Sequence, residues 1–337
     1  MFIGSKWLKP IGGLYGLVLR FRHFLFDSGI FKPQLGKLPT IVIGNLSLGG
    51  TGKTPHAEYI LRQLSTWCKP ALLSRGYGRK SSGFIWANQV KASASLIGDE
   101  PMQIHRKFPD LDVAVCENRL RGIALLKSFT NSNIVVLDDA FQHRRLQGDL
   151  NILLTRFDRP YWKDSVVPGG SLRDNKSAAR RADIIIVTKC PLNISTEQQR
   201  NIRKEINPKG NQQVFFTTLQ YDKPVALHGG EVVLSPGAEV VGIAGLADNS
   251  SFQSHLEERF KLAHFESFSD HHIFSRKEIE SVWSKYGTFA QAIVTTEKDA
   301  VRLREIPGLE TIPIVVVPIS ISFLSDEQAF RQLLRST

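Results

Sequence analysis

The chain has 337 residues, which is enough for about two domains with a sizeable buried core. Its 42% hydrophobic and 22% charged residues are ordinary for a globular protein, whereas its net charge of +11 favours an anionic partner such as a nucleotide, a nucleic acid or an acidic membrane face. Three widely spaced cysteines, Cys68, Cys116 and Cys190, indicate a reducing compartment and speak against a disulfide or metal framework.

The first predicted element is an amphipathic helix after Pro10, within residues 1–35 of the first domain. Its uncharged run, residues 11–19, has nine residues, far fewer than the roughly 20 that span a bilayer, and no signal-peptide cleavage site follows. The predicted apolar side carries Leu14, Leu17, Val18, Phe21 and Leu25. The predicted opposite stripe carries Lys9, Gly13, Gly16, Arg20, His23 and Asp27. With basic flanks at Lys6, Lys9, Arg20, Arg22, Lys32 and Lys37, this pattern is typical of an interfacial membrane helix. Packing of the helix on its own domain is the alternative, and the two are compatible.

The strongest motif is the glycine cluster and Lys-Thr pair at residues 49–54, which follows the β-branched run Thr40–Asn45 and opens a helical pattern. This layout predicts a phosphate-binding loop, with Lys53 on the β and γ phosphates and Thr54 on Mg²⁺. Ser47 stands where the full motif has its first glycine, so the match is partial, and a glycine-rich turn is the alternative. The nucleotide-binding residues expected here are Ser47, Gly49, Gly50, Thr51, Gly52, Lys53 and Thr54.

The second strong signal is an apolar run ending in two carboxylates, at residues 134–139. It predicts a buried parallel strand that delivers Asp138 and Asp139 to its carboxyl end, where P-loop enzymes hold Mg²⁺. A strand ending in a solvated turn is the alternative. Gln142 and the polar residues after it are expected to face the phosphates.

Three further polar positions are candidates. Asp99 begins an amphipathic pattern, where capping of the helix is the alternative to a functional role. Arg119 begins a helix after strand Asp112–Val115, at the sheet edge that binds ligands in α/β proteins. Arg173 lies in a turn and suits a phosphate clamp, with an ordinary surface turn as the alternative. The basic loop at residues 74–80 is either a clamp for an anion or a solvated turn.

Seven predicted strands alternate with helices, which predicts a mostly parallel sheet covered on both faces in a P-loop NTPase-like domain at residues 36–220. The predicted strand centres are Ile41, Ala71, Val113, Val135, Ile152, Ile185 and Val214. A composition shift at residues 221–224 marks a linker or a ribbon, and residues 221–337 repeat the alternation as a second, smaller α/β domain.

Two stretches of this second domain could reach across a cleft. Residues 269–272 end a predicted strand and precede a helix, a position suited to a cap or to a catalytic histidine, His271. Residues 295–299 follow a buried strand and have the polarity of a loop that contacts a nucleotide base. The residues expected to bind the nucleotide there are Glu297, Lys298 and Asp299.

These motifs in this order resemble the tetraacyldisaccharide 4′-kinases of the lipid A pathway, over nearly the whole chain. That family also lacks the first glycine of the motif, which accounts for Ser47. The matching residues are Leu14, Tyr15, Gly16 and Arg20; residues 44–45 and 49–55; residues 74–78 and 98–101; Asp138, Asp139, Gln142 and His143; Leu172 and Arg173; Asp270 and His271; and residues 296–299.

The resemblance implies ATP-dependent phosphorylation of the 4′-hydroxyl of a tetraacylated disaccharide 1-phosphate at the cytoplasmic face of a Gram-negative inner membrane. It implies that Asp99 paired with His271 is the base. It also implies phosphate and Mg²⁺ binding by Lys53 and Thr54, metal binding by Asp138 and Asp139, and charge stabilisation by Arg119 and Arg173. The expected partners are an anionic acylated disaccharide and the membrane surface, with no nucleic acid, for a monomer.

Two departures from the family pattern are visible. Asp174 stands where the family usually has Glu, and residues 242–247 lack the family's proline. The rival interpretation is a membrane-associated ATPase switch, whose loop also reads GGxGKT, but such switches carry a lysine where this chain has Leu48. A nucleic-acid-dependent ATPase would fit the charge, but no aromatic and basic groove is visible.

Overall fold

The computed structural model describes residues 8–229 and 234–337; Lys6 lies outside the described residues, and so does the side chain of Lys9. The helices are α1 Lys9–Asp27, α2 Lys53–Leu64, α3 Ala94–Ile97, α4 Asp99–Lys107, α5 Arg119–Phe129, α6 Thr196–Ile206, α7 Ser250–Arg259, α8 Arg276–Tyr286, α9 Glu297–Leu303 and α10 Glu327–Arg335. The strands are β1 Gln34–Leu35, β2 Thr40–Asn45, β3 Pro70–Ser74, β4 Ile85–Trp86, β5 Asp112–Val115, β6 Ile134–Leu137, β7 Leu146–Gln147, β8 Leu150–Arg156, β9 Ile184–Thr188, β10 Gln213–Tyr221, β11 Val225–Ala226, β12 Glu239–Ala244, β13 Lys261–Ser267, β14 Ala292–Thr296, β15 Ile314–Val317 and β16 Ile319–Phe323.

A nine-stranded sheet in the order β16-β10-β9-β8-β2-β6-β3-β5-β4 forms the first domain. Its seven central strands are parallel and are the seven predicted from the sequence. Successive residues of β2 face opposite sides, since Val42 packs in one core with α5 and Ile41 and Ile43 pack in the other with α2. Helices therefore cover both faces, as expected of a strand that is apolar throughout, and the predicted α/β fold class is confirmed.

The second domain is built on a five-stranded sheet in the order β11-β15-β14-β12-β13. Strands β12 to β15 pair in parallel, and β11 pairs antiparallel with β15. Phe252 and Leu256 of α7 pack on one face, whereas Ile279 and Val282 of α8 pack on the other with α9. The small sheet is thus also covered on both sides.

The chain returns to the first domain at its end, which differs from the predicted boundary of the second domain at residues 221–337. Strand β16 pairs antiparallel with β10 at the edge of the large sheet. Phe330 and Leu334 of α10 are buried against Leu64 and its neighbours on α2. The sequence pattern of β16 and α10 predicts only that these elements bury apolar side chains. Tertiary packing decides which of the two sheets they join.

Helix α1 packs on the first domain through a stripe of small and buried residues, Gly12, Gly16, Leu19, His23 and Phe26. A Cβ at Gly12 would lie 2.8 Å from the carbonyl oxygen of Val166, so only glycine allows this close approach. Of the predicted stripe opposite the apolar side, Gly16 and His23 are buried against the domain, whereas Gly13, Arg20 and Asp27 are exposed. Among the described residues, no helix is both long and apolar enough to cross a membrane.

The opposite side of α1 is apolar and exposed to solvent. Leu14, Leu17, Val18 and Phe21 are each between 56% and 66% exposed. Leu25, predicted on the same side, is half-buried. One face of α1 is thus held by the protein while the other has no covering among the described residues.

Candidate active site

Four neighbouring strands of the large sheet deliver polar residues to its carboxyl edge. The glycine-rich loop follows β2, Asp138 and Asp139 follow β6, the basic loop follows β3, and Arg119 follows β5. Because these strands are parallel and adjacent, the loops meet at one edge, where open α/β sheets bind ligands. The structure thus brings together the predicted site residues of the first domain.

The glycine-rich loop has the backbone of a phosphate-binding loop. Gly49 and Gly52 have φ of 97° and 83°, a region that residues with a Cβ rarely adopt, and Lys53 begins α2 directly after them. A Cβ at Gly49 or Gly50 would meet no atom within 4 Å, so open space lies in front of both backbones. The amides of this turn and the N-terminus of α2 are therefore positioned for an anion.

A second layer of polar side chains holds this loop. Asn45 Nδ2 donates to Thr51 Oγ1 at 2.9 Å, and Thr188 Oγ1 donates to the Thr51 carbonyl oxygen at 2.9 Å. His56 Nδ1 lies 2.7 Å from the carbonyl oxygen of Gly52, and its Nε2 lies 3.0 Å from the hydroxyl of Thr217. Burial lowers the pKa of His56 to about 4, so the ring is neutral, with Nδ1 donating and Nε2 accepting. Sequence reasoning assigned no supporting role to these side chains, although Asn45 and His56 lie within four residues of the motif.

Asp139 is held by two cations. Arg173 Nη1 donates to Asp139 Oδ2 at 2.9 Å, its Nη2 contacts Asp139 Oδ1 and Asn45 Oδ1, and Lys53 Nζ lies 3.7 Å from Asp139 Oδ1. Burial alone would raise the pKa of Asp139, but the hydrogen bonds from Arg173 and the charge of Lys53 lower it overall. Asp139 is thus ionised, and the guanidinium of Arg173 is engaged with it.

Asp138 has the opposite environment. It is 5% exposed, and its Oδ1 has no hydrogen-bond partner among the described residues. Burial, followed by the charge of Asp139, raises the pKa of Asp138 to about 7. A buried carboxyl oxygen without a partner beside a phosphate-binding loop has the chemistry of a cation ligand.

Arg119, Gln142 and His143 line the same edge. Arg119 is buried, and its Nη1 donates to the carbonyl oxygens of Cys116 and Glu117 at 2.8 and 3.2 Å. Gln142 Nε2 donates to the Asn45 carbonyl oxygen at 2.6 Å, so its amide buttresses the loop. Burial and then the charge of Arg119 lower the pKa of His143 to about 4.

The structure places Asp99 and His271 in direct contact across the two domains. His271 Nδ1 donates to Asp99 Oδ2 at 2.8 Å, and Arg302 Nε donates to Asp99 Oδ1 at 2.8 Å. The contact with Asp99 raises the pKa of His271. Burial would raise the pKa of Asp99, but the bonds from His271 and Arg302 outweigh burial and lower it.

Neither residue of this pair caps a helix. Asp99 is the first residue of α4 and its carboxylate points to the second domain, whereas Ser275 caps α8 in a reciprocal box with Glu278. The capping interpretations of Asp99 and of residues 269–272 are therefore wrong. Arg302 was missed by sequence reasoning, because a lone arginine within a short helix carries no motif.

The pair of Asp99 and His271 is linked electrostatically to the carboxyl edge of the large sheet. Glu100, which follows Asp99, acts electrostatically on both Asp138 and His271 and raises the pKa of each as a secondary cause. The charge of Glu100 thus influences groups in both halves of the candidate site. The candidate site combines an anion-binding loop, a carboxyl oxygen of Asp138 without a partner among the described residues, and a histidine whose Nε2 is not used by Asp99.

The residues predicted to contact a base make contacts within the protein. Lys107 Nζ bonds Glu297 Oε1 at 2.8 Å, and Lys298 Nζ donates to Asp270 Oδ1 at 2.6 Å. Asp299 accepts from the Gly245 amide at 3.0 Å and from the Thr296 hydroxyl at 2.7 Å. These contacts account for the polarity of the stretch, and base contact by Glu297, Lys298 and Asp299 stays a prediction.

Asp174 ties α1 to the site. It is fully buried, and His23 Nε2 of α1 lies 2.5 Å from its Oδ1, while the Asn175 amide donates to the same oxygen at 2.8 Å. Its neighbour Arg173 is the residue that holds Asp139. The shorter carboxylate at this position thus links the N-terminal helix to the segment that braces the glycine-rich loop.

Comparisons with known proteins agree over the whole chain. The family model described as Tetraacyldisaccharide-1-P 4'-kinase, LpxK, matches residues 4–337. Tetraacyldisaccharide 4'-kinase of Flavobacterium johnsoniae is 42% identical over 331 residues, covering 96% of this chain and 94% of the relative. That of Parabacteroides distasonis is 39% identical over 346 residues, covering 98% and 94%. A crystal structure of LpxK from Aquifex aeolicus in complex with ATP matches with a TM-score of 0.78 at 28% identity, covering 98% of each chain.

Proposed function

The chain belongs to the family of tetraacyldisaccharide-1-P 4'-kinases, and from this premise we propose that the cleft between residues 49–54, Asp99 and His271 is its active site. The protein is an ATP-dependent kinase that phosphorylates the 4′-hydroxyl of tetraacyldisaccharide 1-phosphate in lipid A biosynthesis. The resemblance identified from the sequence is confirmed, and the alternative of an ATPase switch is not favoured.

The hydrogen bond between His271 Nδ1 and Asp99 Oδ2 is the observation that carries the assignment of the base. Both oxygens of Asp99 accept from N–H donors, so its carboxylate is poorly placed to take a further proton. The same bond keeps the Nδ1–H tautomer and leaves Nε2 of His271 free to accept the proton of the 4′-hydroxyl. Asp99 then stabilises the imidazolium, so the two residues act as one base.

The phosphates of ATP are assigned to the glycine-rich loop, with Lys53 on the β and γ phosphates and Arg119 adding positive charge. Arg173 acts on Asp139, which supports a role in positioning that carboxylate. Mg²⁺ is assigned to Thr54, Asp138 and Asp139, because the unpartnered Oδ1 of Asp138 fits a hard cation. The bound ion would neutralise phosphate charge during transfer.

The lipid substrate is assigned to the side of the cleft next to α1. The exposed face of Leu14, Leu17, Val18 and Phe21 suits acyl chains or the membrane interface. Beside it, a cavity of about 470 Å³ is lined by Arg22, Phe26, Phe31, His143, Arg144 and Arg145. Cations and aromatic rings together suit an anionic acylated sugar. A monomer acting peripherally at the cytoplasmic membrane face is the state that we propose.

The catalytic assignment is tested with γ-labelled ATP and tetraacyldisaccharide 1-phosphate in detergent. We expect label in the lipid, and none when the acceptor already carries a 4′-phosphate. Lys53→Met is expected to lower transfer by at least about 100-fold, because it removes the cation assigned to the β and γ phosphates. Label found only in inorganic phosphate, or transfer by Lys53→Met at the wild-type rate, would contradict the assignment.

The membrane assignment is tested with a double variant of the exposed face, Leu17→Gln and Phe21→Gln. Both side chains are more than half exposed, so the fold should not depend on them. Co-sedimentation with vesicles of phosphatidylglycerol and phosphatidylethanolamine is expected to fall about tenfold or more, since each side chain contributes about 1 kcal/mol or more when buried in lipid.

The matched control is Leu192→Gln, which changes a leucine that is 74% exposed and lies outside α1. This control should bind vesicles like the wild type. Equal binding by all three proteins would remove α1 as the membrane contact.

A further inference from the structure

Arg302 of α9 contacts both members of the pair assigned as the base. Its Nε donates to Asp99 Oδ1 at 2.8 Å, on the first domain. Its Nη1 donates to the carbonyl oxygen of His272 at 2.9 Å and also contacts that of His271, in a loop of the second domain. One planar guanidinium therefore spans the boundary between the domains at the point where the two residues meet.

The loop that carries His271 needs such a support. His271 has a φ of 59°, in the left-handed region that a side chain with a Cβ disfavours. Arg302 binds two successive carbonyl oxygens of this turn, at His271 and His272, which opposes its relaxation. A lysine has a single ammonium group and cannot reproduce this fixed fork.

The charges around His271 come from three elements. Asp99 and Glu100 lie on α4, Lys298 and Arg302 on α9, and Asp270 on the same loop as His271. Three of the five are carboxylates, and each of them favours the imidazolium. The guanidinium of Arg302 partly neutralises the carboxylate of Asp99. It therefore limits how far Asp99 raises the pKa of His271.

We propose that Arg302 is a positioning residue for phosphoryl transfer. It fixes the position of Asp99 on the first domain relative to the His271 loop of the second domain. This role rests on the proposed assignment of Asp99 and His271 as the base. It predicts that losing Arg302 changes the rate and its pH dependence, and not the binding of ATP.

The test compares Arg302→Met, Arg302→Lys and Arg106→Met in the full-length protein. Arg106 is the matched control, because its Nη1 also crosses the α4 and α9 interface, to the Val301 carbonyl oxygen at 2.7 Å, without touching Asp99 or His271. We measure kcat and KM for ATP between pH 5.5 and 9, with thermal unfolding of each variant.

Arg302→Met is expected to lower kcat by about 10- to 100-fold with KM for ATP within about threefold, since misplaced catalytic groups cost rate and not nucleotide affinity. The acid limb of its profile should move about half a unit or more to higher pH, because a cation has been removed and the pKa of His271 rises. Arg302→Lys should keep the acid limb of the wild type and recover only part of the rate.

A profile of Arg302→Met that matches the wild type, or the same shift in Arg106→Met, would overturn the role of Arg302. Failure of the underlying assignment has a different result: His271→Gln would then transfer phosphate at the wild-type rate. The two failures are thus distinguished in one set of assays.

Discussion

Replacing Asp99 with asparagine is expected to lower kcat for transfer to the lipid by about 10³-fold while ATP affinity stays within about threefold. Asparagine keeps the shape of the side chain but removes the charge that orients His271 Nδ1 and stabilises the imidazolium. It also leaves Arg302 facing a neutral group. The measurement is steady-state transfer of label, with ATP binding followed by calorimetry.

The same assay applied to His271→Gln should give a comparable loss. The double variant should be only slightly worse than either single variant, because residues that act as one unit are not additive. His272→Gln is the matched control, since the ring of His272 bonds Glu278 at 3.0 Å and not Asp99, and it should stay within about threefold of wild type. Fully additive losses from Asp99 and His271 would contradict a joint base.

Replacing Asp138 with asparagine is expected to lower kcat by at least about 100-fold, which exceeds the usual cost of losing an outer-shell metal partner. In EDTA, the same variant should be at least as thermally stable as the wild type. Asp138 is a buried carboxyl whose Oδ1 has no hydrogen-bond partner in the described part of the chain, so removing its charge removes a penalty of burial.

Asp139→Asn is the comparison that separates the two carboxylates. It removes the ion pairs with Arg173 and Lys53, so its melting temperature in EDTA should be about 2–4 °C lower than that of wild type. Addition of Mg²⁺ and ATP should stabilise the wild type much more than Asp138→Asn. If Asp138→Asn is less stable than the wild type in EDTA, the charge of Asp138 is compensated within the protein and the metal assignment fails.

The core of both domains was predictable because it depends on short windows of sequence. Apolar runs predict the buried strands β2 and β6. The glycines before Lys53 predict a phosphate-binding turn. All seven central strands were found in this way. The carboxyl-edge position of Asp138 and Asp139 followed, since parallel strands place their ends together.

Local patterns were less informative where one residue type serves two purposes. Asp99 suits a helix cap as well as a bond to His271, and only the position of the second domain decides between them. The polar stretch from Glu297 to Asp299 resembles a base-binding loop, yet its side chains bond Lys107, Asp270 and the Gly245 amide. The exposed and packing sides of α1 were distinguished only by the structure, in which Gly12 lies against the carbonyl oxygen of Val166 and Gly16 lies beside Asn175.

The sequence by itself determined the α/β class, the phosphate-binding loop and the family, because backbone preference, burial pattern and motif spacing act over a few neighbouring residues. The family resemblance implied the pairing of Asp99 with His271, and tertiary structure alone decided which other side chains meet. Asp99 and His271 are 172 positions apart, Asp99 and Arg302 are 203 apart, and His23 and Asp174 are 151 apart. Contacts at such separations arise from how whole helices and sheets pack, and a linear sequence contains no local signal for them.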